Sequence, residues 1–410
     1  MATTLTYAYK GLDTAGKSVK GKVDAGNEAQ VASRLRTMGI SPTLIAEAPS
    51  ATGLNMEINL SILGAGGVKL KDIAVMSRQM ATMISAGLSL LRTLAILSEQ
   101  TENKALAKVL DAVRADVETG TSLSDAMTKH PKDFPPLMLN LIRAGETGGF
   151  LEGALMSIAQ NYEAEVKLTG RIKSALTYPV IVLLIAMLAV TGMLIFIVPV
   201  FDTMFKQLDA TLPLPTQFLV VLSGSLVWLG PLVVVATIVG LALWKRHKND
   251  EAVRKVADTI KLKMPVFGPL MKKVAVARLT RNLATMMGAG VPILKSLAIV
   301  GSTSGNWVIE QSLNKVQESV RQGNSIAGPL SEETVFPAMV TQMIAVGEDS
   351  GALETMLHKI SDFYDQEVES TTEQLTALIE PLMIAFIGVV VGGMIVALYM
   401  PIFDIFNHLG

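Results

Sequence analysis

The chain has no cysteine among its 410 residues, and charged and aromatic side chains are few. Without cysteine there is no disulfide framework, no thiolate zinc site and no cysteine nucleophile. Charged residues make up 17% of the chain, below the roughly 25% usual in soluble proteins. The net charge of -1 gives no reason to expect a nucleic-acid partner. With half of the residues apolar, the composition favours a membrane protein.

Signatures of covalent and metal catalysis are missing as well. The isolated histidines form no ligand pair at helical spacing: His130, His247, His358 and His408. The N-terminal residues lack the charged and apolar regions of a cleaved signal peptide. We therefore expect a protein that is not an enzyme and needs no cofactor.

One literal match to a nucleotide-binding pattern, G-x4-G-K-[ST], runs from Gly11 to Ser18. A phosphate-binding loop of this kind lies between a buried strand and a helix. Here the following residues, Val19 to Val23, alternate and include a glycine, which predicts a strand. We interpret the match as a lysine-rich hairpin turn. The alternative is a nucleotide-hydrolysing membrane enzyme that uses Lys17.

Three long stretches contain no Asp, Glu, Lys, Arg or His: 174–201, 210–244 and 381–403. Each is long enough to cross about 30 Å of hydrocarbon as a helix. Lysine and arginine cluster on one side of them: Arg171, Lys173, Lys245, Arg246 and Lys248. The positive-inside rule then predicts a cytoplasmic N-terminus, two cytoplasmic soluble segments and an external C-terminus.

The sequence contains an internal repeat. SRQMATMISAGLSLLRTL from Ser77 matches TRNLATMMGAGVPILKSL from Thr280, at an offset of 203. The match continues at an offset of 202 through two glycine- and glutamate-containing segments, 145–149 and 347–351. A register held over this distance indicates a duplication. Each copy is a helical module followed by a span, and the second span returns the chain to the first side.

The candidate functional residues are the positions that the two copies share. They are Arg78, Gly87, Gly145, Glu146, Gly149, Pro179 and Pro199 in the first copy, and Arg281, Gly290, Gly347, Glu348, Gly351, Pro381 and Pro401 in the second. We expect the glycines to allow positive φ, and the arginines to lie on a solvated face with pairing inside their own helix. The prolines are expected to stiffen the ends of the spans.

Glu146 and Glu348 allow more than one interpretation. The favoured one is that each carboxylate caps the next helix by accepting backbone N–H groups. The alternatives are a contact for a partner protein or an oxygen ligand for a cation.

These patterns predict an all-α membrane protein with two repeated cytoplasmic helical-bundle modules, three transmembrane helices and a small N-terminal α+β segment. The predicted ranges are as follows: hairpin-plus-helix domain 1–48, linker 49–69, module one 70–173, first span 174–199, external loop 200–217, second span 218–244, module two 245–376, third span 377–400 and external tail 401–410.

The repeated residues resemble those of a known family, the inner-membrane platform proteins of type IV pilus and type II secretion systems (the PilC/GspF family). The resemblance covers nearly the whole chain, from YAYKGLDTAGKSVKGKVDA to IEPLMIAFIGVVVGGMIVALYMPIFDIFN. It implies a non-enzymatic scaffold in the bacterial inner membrane, with two six-helix modules facing a hexameric assembly ATPase. Implied partners are pilin or pseudopilin, other inner-membrane assembly proteins, lipid and further copies of the chain. It also implies a cation between modules in some members, for which Glu146 and Glu348 are candidates.

A competing hypothesis is a small-molecule permease built on repeats. It predicts polar or broken helices around a midplane cavity, and only Ser223, Gly224 and Ser225 offer such a feature within the spans.

The predicted topology can be tested by cysteine labelling, because the chain has no native cysteine. Single cysteines near residues 120 and 320 should both react with an impermeant reagent only from the cytoplasmic side. Labelling of the two positions from opposite sides would contradict the duplicated arrangement.

Overall fold

The structure is a computed structural model that describes residues 5–12, 18–25, 28–37, 41–47, 67–207, 212–248 and 250–409. The chain divides into two compact units, Met1–Ala65 and Gly66–Gly410. Most of the predicted linker, 49–66, lies outside the described residues, as does Lys17.

The N-terminal unit is a small three-stranded sheet with one helix. Its elements are β1 (Leu5–Leu12), β2 (Ser18–Ala25), α1 (Glu28–Thr37) and β3 (Ser41–Glu47). Both β2 and β3 pair antiparallel with the central β1. The hairpin and the helix match the predicted pattern, whereas β3 was not predicted. The residues after the nucleotide-binding pattern form a strand, β2, where a phosphate-binding loop requires a helix.

The second unit is helical throughout its described residues. The first copy contains α2 (Leu70–Ser85), α3 (Leu90–Gln100), α4 (Lys104–Glu118), α5 (Leu123–Thr128), α6 (Pro136–Gly148), α7 (Leu151–Gly192), a π-helical segment (Met193–Ile197) and α8 (Val198–Gln207). The chain then forms α9 (Leu214–His247) and α10 (Glu251–Lys263). The second copy contains α11 (Phe267–Gly288), α12 (Ile293–Thr303), α13 (Trp307–Arg321), α14 (Ala327–Glu332), α15 (Ala338–Asp349) and α16 (Leu353–Leu409).

The breaks between helices are repeated in the two copies. Asn103 and Asn306 each accept two backbone N–H groups at the start of α4 and α13, which satisfies donors that a helix N-terminus leaves free. Gly87 and Gly290 follow α2 and α11 with φ of 86° and 69°. The predicted left-handed C-caps are therefore present at both glycines.

The two modules share one hydrophobic core. Met76 and Met80 on α2, and their counterparts Leu279 and Leu283 on α11, are almost fully buried in a single cluster that includes residues from both modules. Burying a side chain of this size contributes roughly 1.5–3 kcal/mol. The apolar stripe at helical spacing is thus the core face, and the modules pack as one body.

Within the described residues, three helical regions are long and apolar enough to cross a membrane: Leu151–Gln207, Trp228–His247 and Leu353–Pro401. The first and third are uninterrupted extensions of module helices. The first helical run, Leu151–Gln207, and α16 are both 57 residues long, which corresponds to about 85 Å each. Helix therefore occupies the start of the predicted loop at 200–207 and most of the predicted tail, 401–409.

Pro401 leaves one carbonyl of α16 without its usual donor, because proline has no N–H. That carbonyl belongs to Ala397, four residues earlier. It accepts a hydrogen bond from the Thr216 hydroxyl of α9. The second span thus supplies the donor that the third span lacks.

In the first span a carbonyl also lacks a main-chain donor because of a proline, but there the neighbouring hydrogen bond spans five residues, as in a π-helix. The Val198 N–H bonds back to the Met193 carbonyl across the π-helical segment, and Pro199 has no N–H to donate. The Leu194 carbonyl is therefore left without a main-chain donor. It accepts a hydrogen bond of 2.5 Å from the Ser223 Oγ of α9.

Apolar packing surrounds these two hydrogen bonds. The buried members of this cluster are Leu194, Val198, Leu219, Met394, Ala397 and Leu398. They lie at the end of the spans remote from the modules. In contrast, no residue in the 18-residue apolar window of α9, within Trp228–His247, is buried. The second span therefore packs against the other two at their module-distal ends.

Replacing both hydroxyls, with Thr216→Val and Ser223→Ala, should loosen this junction. Side-chain hydrogen bonds within membranes contribute about 0.6 kcal/mol on average and up to about 1.7 kcal/mol each. We expect the double variant to unfold at a lower temperature in detergent. The control is Thr237→Val, since the Thr237 hydroxyl bonds only to the Val233 carbonyl of its own helix. Equal melting temperatures for the double variant and the control would contradict the interpretation.

Candidate functional site

The paired glycine- and glutamate-containing segments are helical. Residues 145–148 form the last turn of α6, and residues 347–349 form the last turn of α15. Gly149 and Gly351 follow with φ of 73° and 68°. Only these two glycines of the segments use the left-handed region that was expected of them.

Glu146 caps a helix, but a different one from the helix predicted. Its Oε1 accepts the Leu123 N–H at 2.6 Å, and its Oε2 accepts the Ser124 N–H at 3.0 Å. These groups begin α5, which precedes Glu146 in the chain. The prediction that Glu146 caps the next helix, α7, is therefore wrong in the choice of helix.

Glu348 makes the same contacts in the second copy. Its two carboxylate oxygens accept the Ile326 N–H at 2.6 Å and the Ala327 N–H at 2.9 Å, at the start of α14. The helices α5 and α14 each contain six residues, which is too few for a helix to be stable alone. A carboxylate near the positive end of the helix dipole compensates for this.

Gly145 and Gly347 allow two helices to approach closely. A Cβ on Gly145 would lie 2.6 Å from the Ala154 Cβ of α7. A Cβ on Gly347 would lie 3.0 Å from the Leu353 Cα of α16. These glycines are thus required by packing, whereas the sequence analysis expected a positive φ. They bring the last turn of α6 and of α15 close to the start of a long helix.

The capping contacts use both oxygens of each glutamate, and the cation alternative stays a prediction. Every carboxylate oxygen of the two residues accepts a backbone N–H. Across the described parts of the chain, no group of three or more His, Asp or Glu side chains is arranged to hold a metal ion.

Arg78 and Arg281 form ion pairs between helices, whereas a solvated face with pairing within one helix was expected. Arg281 is also buried, which contradicts the expected solvated face. Arg78 on α2 donates two hydrogen bonds, of 2.6 and 2.5 Å, to Glu163 on α7. Arg281 on α11 donates to both oxygens of Asp365 on α16. The bond to Glu163 raises the pKa of Arg78 above its usual value. In each copy the ion pair joins the first module helix to the long helix.

Polar contacts also join α7 to the second module. They are Asn161 with Thr285 at 3.1 Å, Arg278 with Glu165 at 2.5 Å, and Arg171 with Glu369 at 2.5 Å. The last pair links α7 directly to α16, on the module side of the first and third predicted spans. The bases of the first and third spans are thereby held together.

The shared positions are not used equivalently in the two copies. Thr147 and Gly148 at the end of α6 line a surface cleft with Gly290 and Lys295 of the second module. Gly87 and Gly351 are not among the residues that line this cleft. The structure therefore brings the first copy's glycine-rich segment against the second copy's helix turn.

All four prolines lie inside helices. Pro179 is in α7 and Pro381 is in α16, near the predicted entry into the membrane, and Pro199 in α8 and Pro401 in α16 lie near the predicted exit. Helical structure continues on both sides of each one. Their proposed role in stiffening the ends of the spans stays a prediction.

The sequence analysis missed the roles of several residues that the structure makes important. Glu163 and Asp365 stand 202 residues apart, so the register of the repeat contained the signal for a duplicated ion pair. Thr216 and Ser223 had no such signal, because α9 has no second copy. Their role depends on which backbone carbonyls of the neighbouring helices lack a main-chain N–H donor.

Together these features define a class: a membrane protein whose duplicated six-helix modules are continuous with their spans. The model of the family "Type II secretion system (T2SS), protein F" matches residues 76–199 and 279–401, and the model of that family's N-terminal domain matches residues 1–46. The chain belongs to this family. Both repeats and the N-terminal unit are accounted for by these matches.

Relatives that cover nearly the whole chain include proteins named for pilus assembly and for secretion. The chain is 42% identical to the "Type IV pilus assembly protein PilC" of Myxococcus xanthus, covering 98% of this chain and 95% of the relative. It is 42% identical to the protein of the same name from Thermus thermophilus, covering 98% of each. It is 34% identical to the "Type II secretion system protein F" of Xanthomonas campestris, covering 98% of this chain and 99% of the relative. With three apolar spans, these similarities identify an inner-membrane protein.

Glu146→Ala should destabilise the first module, because it leaves two N–H groups of α5 without acceptors. The loss of such a cap costs about 1–2 kcal/mol, which should appear as a lower melting temperature in detergent. Glu348→Ala should behave alike, since its contacts are the same. Glu99→Ala, at an exposed position on α3, is the control. A melting temperature as high as that of the control would show that the caps are dispensable.

Proposed function

We propose that this chain is the inner-membrane platform of a filament-assembly machine, and that it couples a cytoplasmic assembly ATPase to the polymerisation of pilin. The observation that carries the proposal is the continuity of the two 57-residue helical runs from module to membrane. A helix without a flexible linker transmits displacement of one end to the other. A motor acting on the modules would then move the spans.

Three sets of contacts support movement of the modules and spans as one body. The modules share a single core. The Arg171–Glu369 pair joins the bases of the first and third spans, and the hydroxyls of Thr216 and Ser223 join their far ends to the second span. A displacement applied to either module would therefore reach both long helices.

We propose assembly of a type IV pilus in preference to secretion. The 42% identity to two proteins named for pilus assembly, against 34% to a protein named for secretion, supports this choice. The expected arrangement has both modules and the N-terminus in the cytoplasm, with the C-terminus outside. Pilin, other inner-membrane assembly proteins and further copies of this chain are the proposed neighbours.

The permease alternative rested on Ser223, Gly224 and Ser225. The hydroxyl of Ser223 is engaged by the Leu194 carbonyl, which weakens this alternative. The buried contacts among the module-distal ends of the spans are otherwise mostly apolar. A substrate pathway normally requires polar or ionisable groups near the membrane midplane.

The proposal can be tested by interrupting the first long helix at the membrane boundary. A Gly-Ser-Gly-Ser insertion between Lys173 and Ser174 in the native host should reduce surface pili at least about ten-fold, because a flexible segment dissipates the displacement. The matched control is the same insertion after Gly120, in the exposed turn between α4 and α5. Surface pili are counted by electron microscopy.

Two further measurements separate a defect in coupling from a defect in membrane insertion or in ATPase binding. Membrane level and co-purification of the assembly ATPase should be the same for both insertions, so that the defect lies in coupling. Normal piliation with the insertion at residue 173 would refute mechanical coupling through this helix. Normal piliation after deletion of the gene, with a defect in protein secretion, would instead assign the chain to a secretion machine.

A further inference from the structure

The helix that follows the second span has an exposed apolar face. On α10, Val256 and Ile260 are four residues apart and are 61% and 57% exposed. The corner between α10 and α11 adds Met264 and Val266, at 40% and 46%. The opposite face of α10 is packed, since Leu262 is buried. An apolar face exposed in this way requires a partner other than water.

The register of α11 against α16 places this corner at the membrane boundary. Arg281 pairs with Asp365, and Lys273 pairs with Glu367 and Thr371. The two helices are thus antiparallel, and earlier residues of α11 lie nearer to the third span.

A small apolar cluster extends this register to the start of α11. It contains Leu270 with Leu375, and Phe267 and Ile172 pack against it. Ile172 and Leu375 each lie two residues before a predicted span, 174–199 and 377–400 respectively. The corner formed by 264–266 comes before Phe267, and therefore lies at the level where the chain enters the membrane.

The corner is held firmly in this position. A Cβ on Gly268 would lie 2.5 Å from the Leu262 carbonyl oxygen, so α10 and α11 are in close contact there. Trp244, near the end of the second span, lines a groove together with Val256 and Ile260. Tryptophan is typical of the membrane–water interface. The apolar face of α10 is thus continuous with the lipid-facing surface of α9.

The charges around the corner are mainly positive. Lys261 and Lys263 are exposed in the last turn of α10. Lys261 is 2.8 Å from Asp258, which is otherwise buried, and Lys263 stands beside Met264. Lysines that flank exposed apolar side chains on an amphipathic helix are typical of binding to anionic lipids.

We propose that α10 and the corner at 264–266 form an in-plane anchor that inserts into the module-side leaflet and binds anionic phospholipid headgroups. Ile260, Met264 and Val266 enter the acyl boundary, while Lys261 and Lys263 contact phosphates. This proposal does not depend on whether the chain belongs to a pilus-assembly machine or to a secretion machine. It fixes the second module against the membrane next to its own span.

Spin labels can measure this insertion directly, since the chain lacks native cysteine. Single cysteines replace Ile260, Met264 and Val266 in the full chain, reconstituted in nanodiscs of phosphatidylcholine and phosphatidylglycerol in equal parts. Two controls match the exposure of the test sites. Val75 on α2 is 47% exposed, and Leu184 within the first span is 55% exposed.

The labels at Ile260, Met264 and Val266 should collide more with oxygen than with a water-soluble nickel chelate, as the label at Leu184 does. The label at Val75 should show the opposite preference. Two outcomes would overturn the proposal. In the first, labels at the corner are as accessible to the nickel chelate as the label at Val75, which shows that the corner faces water. In the second, the labels are shielded from both reagents, which shows that a protein partner covers the corner.

The headgroup contact has its own test. The double variant Lys261→Gln, Lys263→Gln should co-purify with less phosphatidylglycerol from vesicles of equal parts phosphatidylcholine and phosphatidylglycerol, by about five-fold per lysine, the equivalent of about 1 kcal/mol. Lys104→Gln, Lys108→Gln on α4 removes the same charge from exposed positions remote from the spans. Identical lipid ratios for the two double variants would refute the headgroup contact.

Discussion

The structure depends on a backbone constraint: within hydrocarbon, every N–H and C=O group needs a partner inside the protein. The two long helices satisfy this by continuing unbroken from module to span. Where Pro199 and Pro401 interrupt the pattern, hydroxyls of α9 supply the missing donors. The second span is therefore more than a return crossing, because it completes the hydrogen bonding of its neighbours and fixes where the three spans meet.

Duplication explains much of what the modules have in common, and the single shared core explains where they differ. Each copy has the same glutamate cap, the same close helix approach at glycine and the same arginine pair. Because these contacts lie within one module, both copies of the module contain them. Contacts such as Asn161 with Thr285 lie between modules. Only one copy can contribute each side of such an interface, and the symmetry is lost there.

The relation between prediction and structure follows the range of each interaction. Helix breaks at Gly87 and Gly290, the apolar stripe through Met76 and Met80, and the three apolar spans depend on neighbouring residues and were predicted from them. The helix capped by Glu146 could not be predicted, because the carboxylate reaches back 23 residues to Leu123. The pairing of Arg78 was assigned to its own helix for the same reason, since Glu163 is 85 residues away.

The amino-acid sequence by itself determined that this protein crosses the membrane three times and contains two copies of one helical module. Long uncharged stretches and a repeated register are properties of the chain, and the hydrophobic effect acts on them wherever the chain folds. Tertiary structure alone decided which helix each glutamate caps, which hydroxyl donates to the carbonyl that each proline leaves free, and which apolar faces of the modules stay exposed. Each of these requires two distant segments at hydrogen-bond or van der Waals distance, and that proximity exists only once the helices have packed.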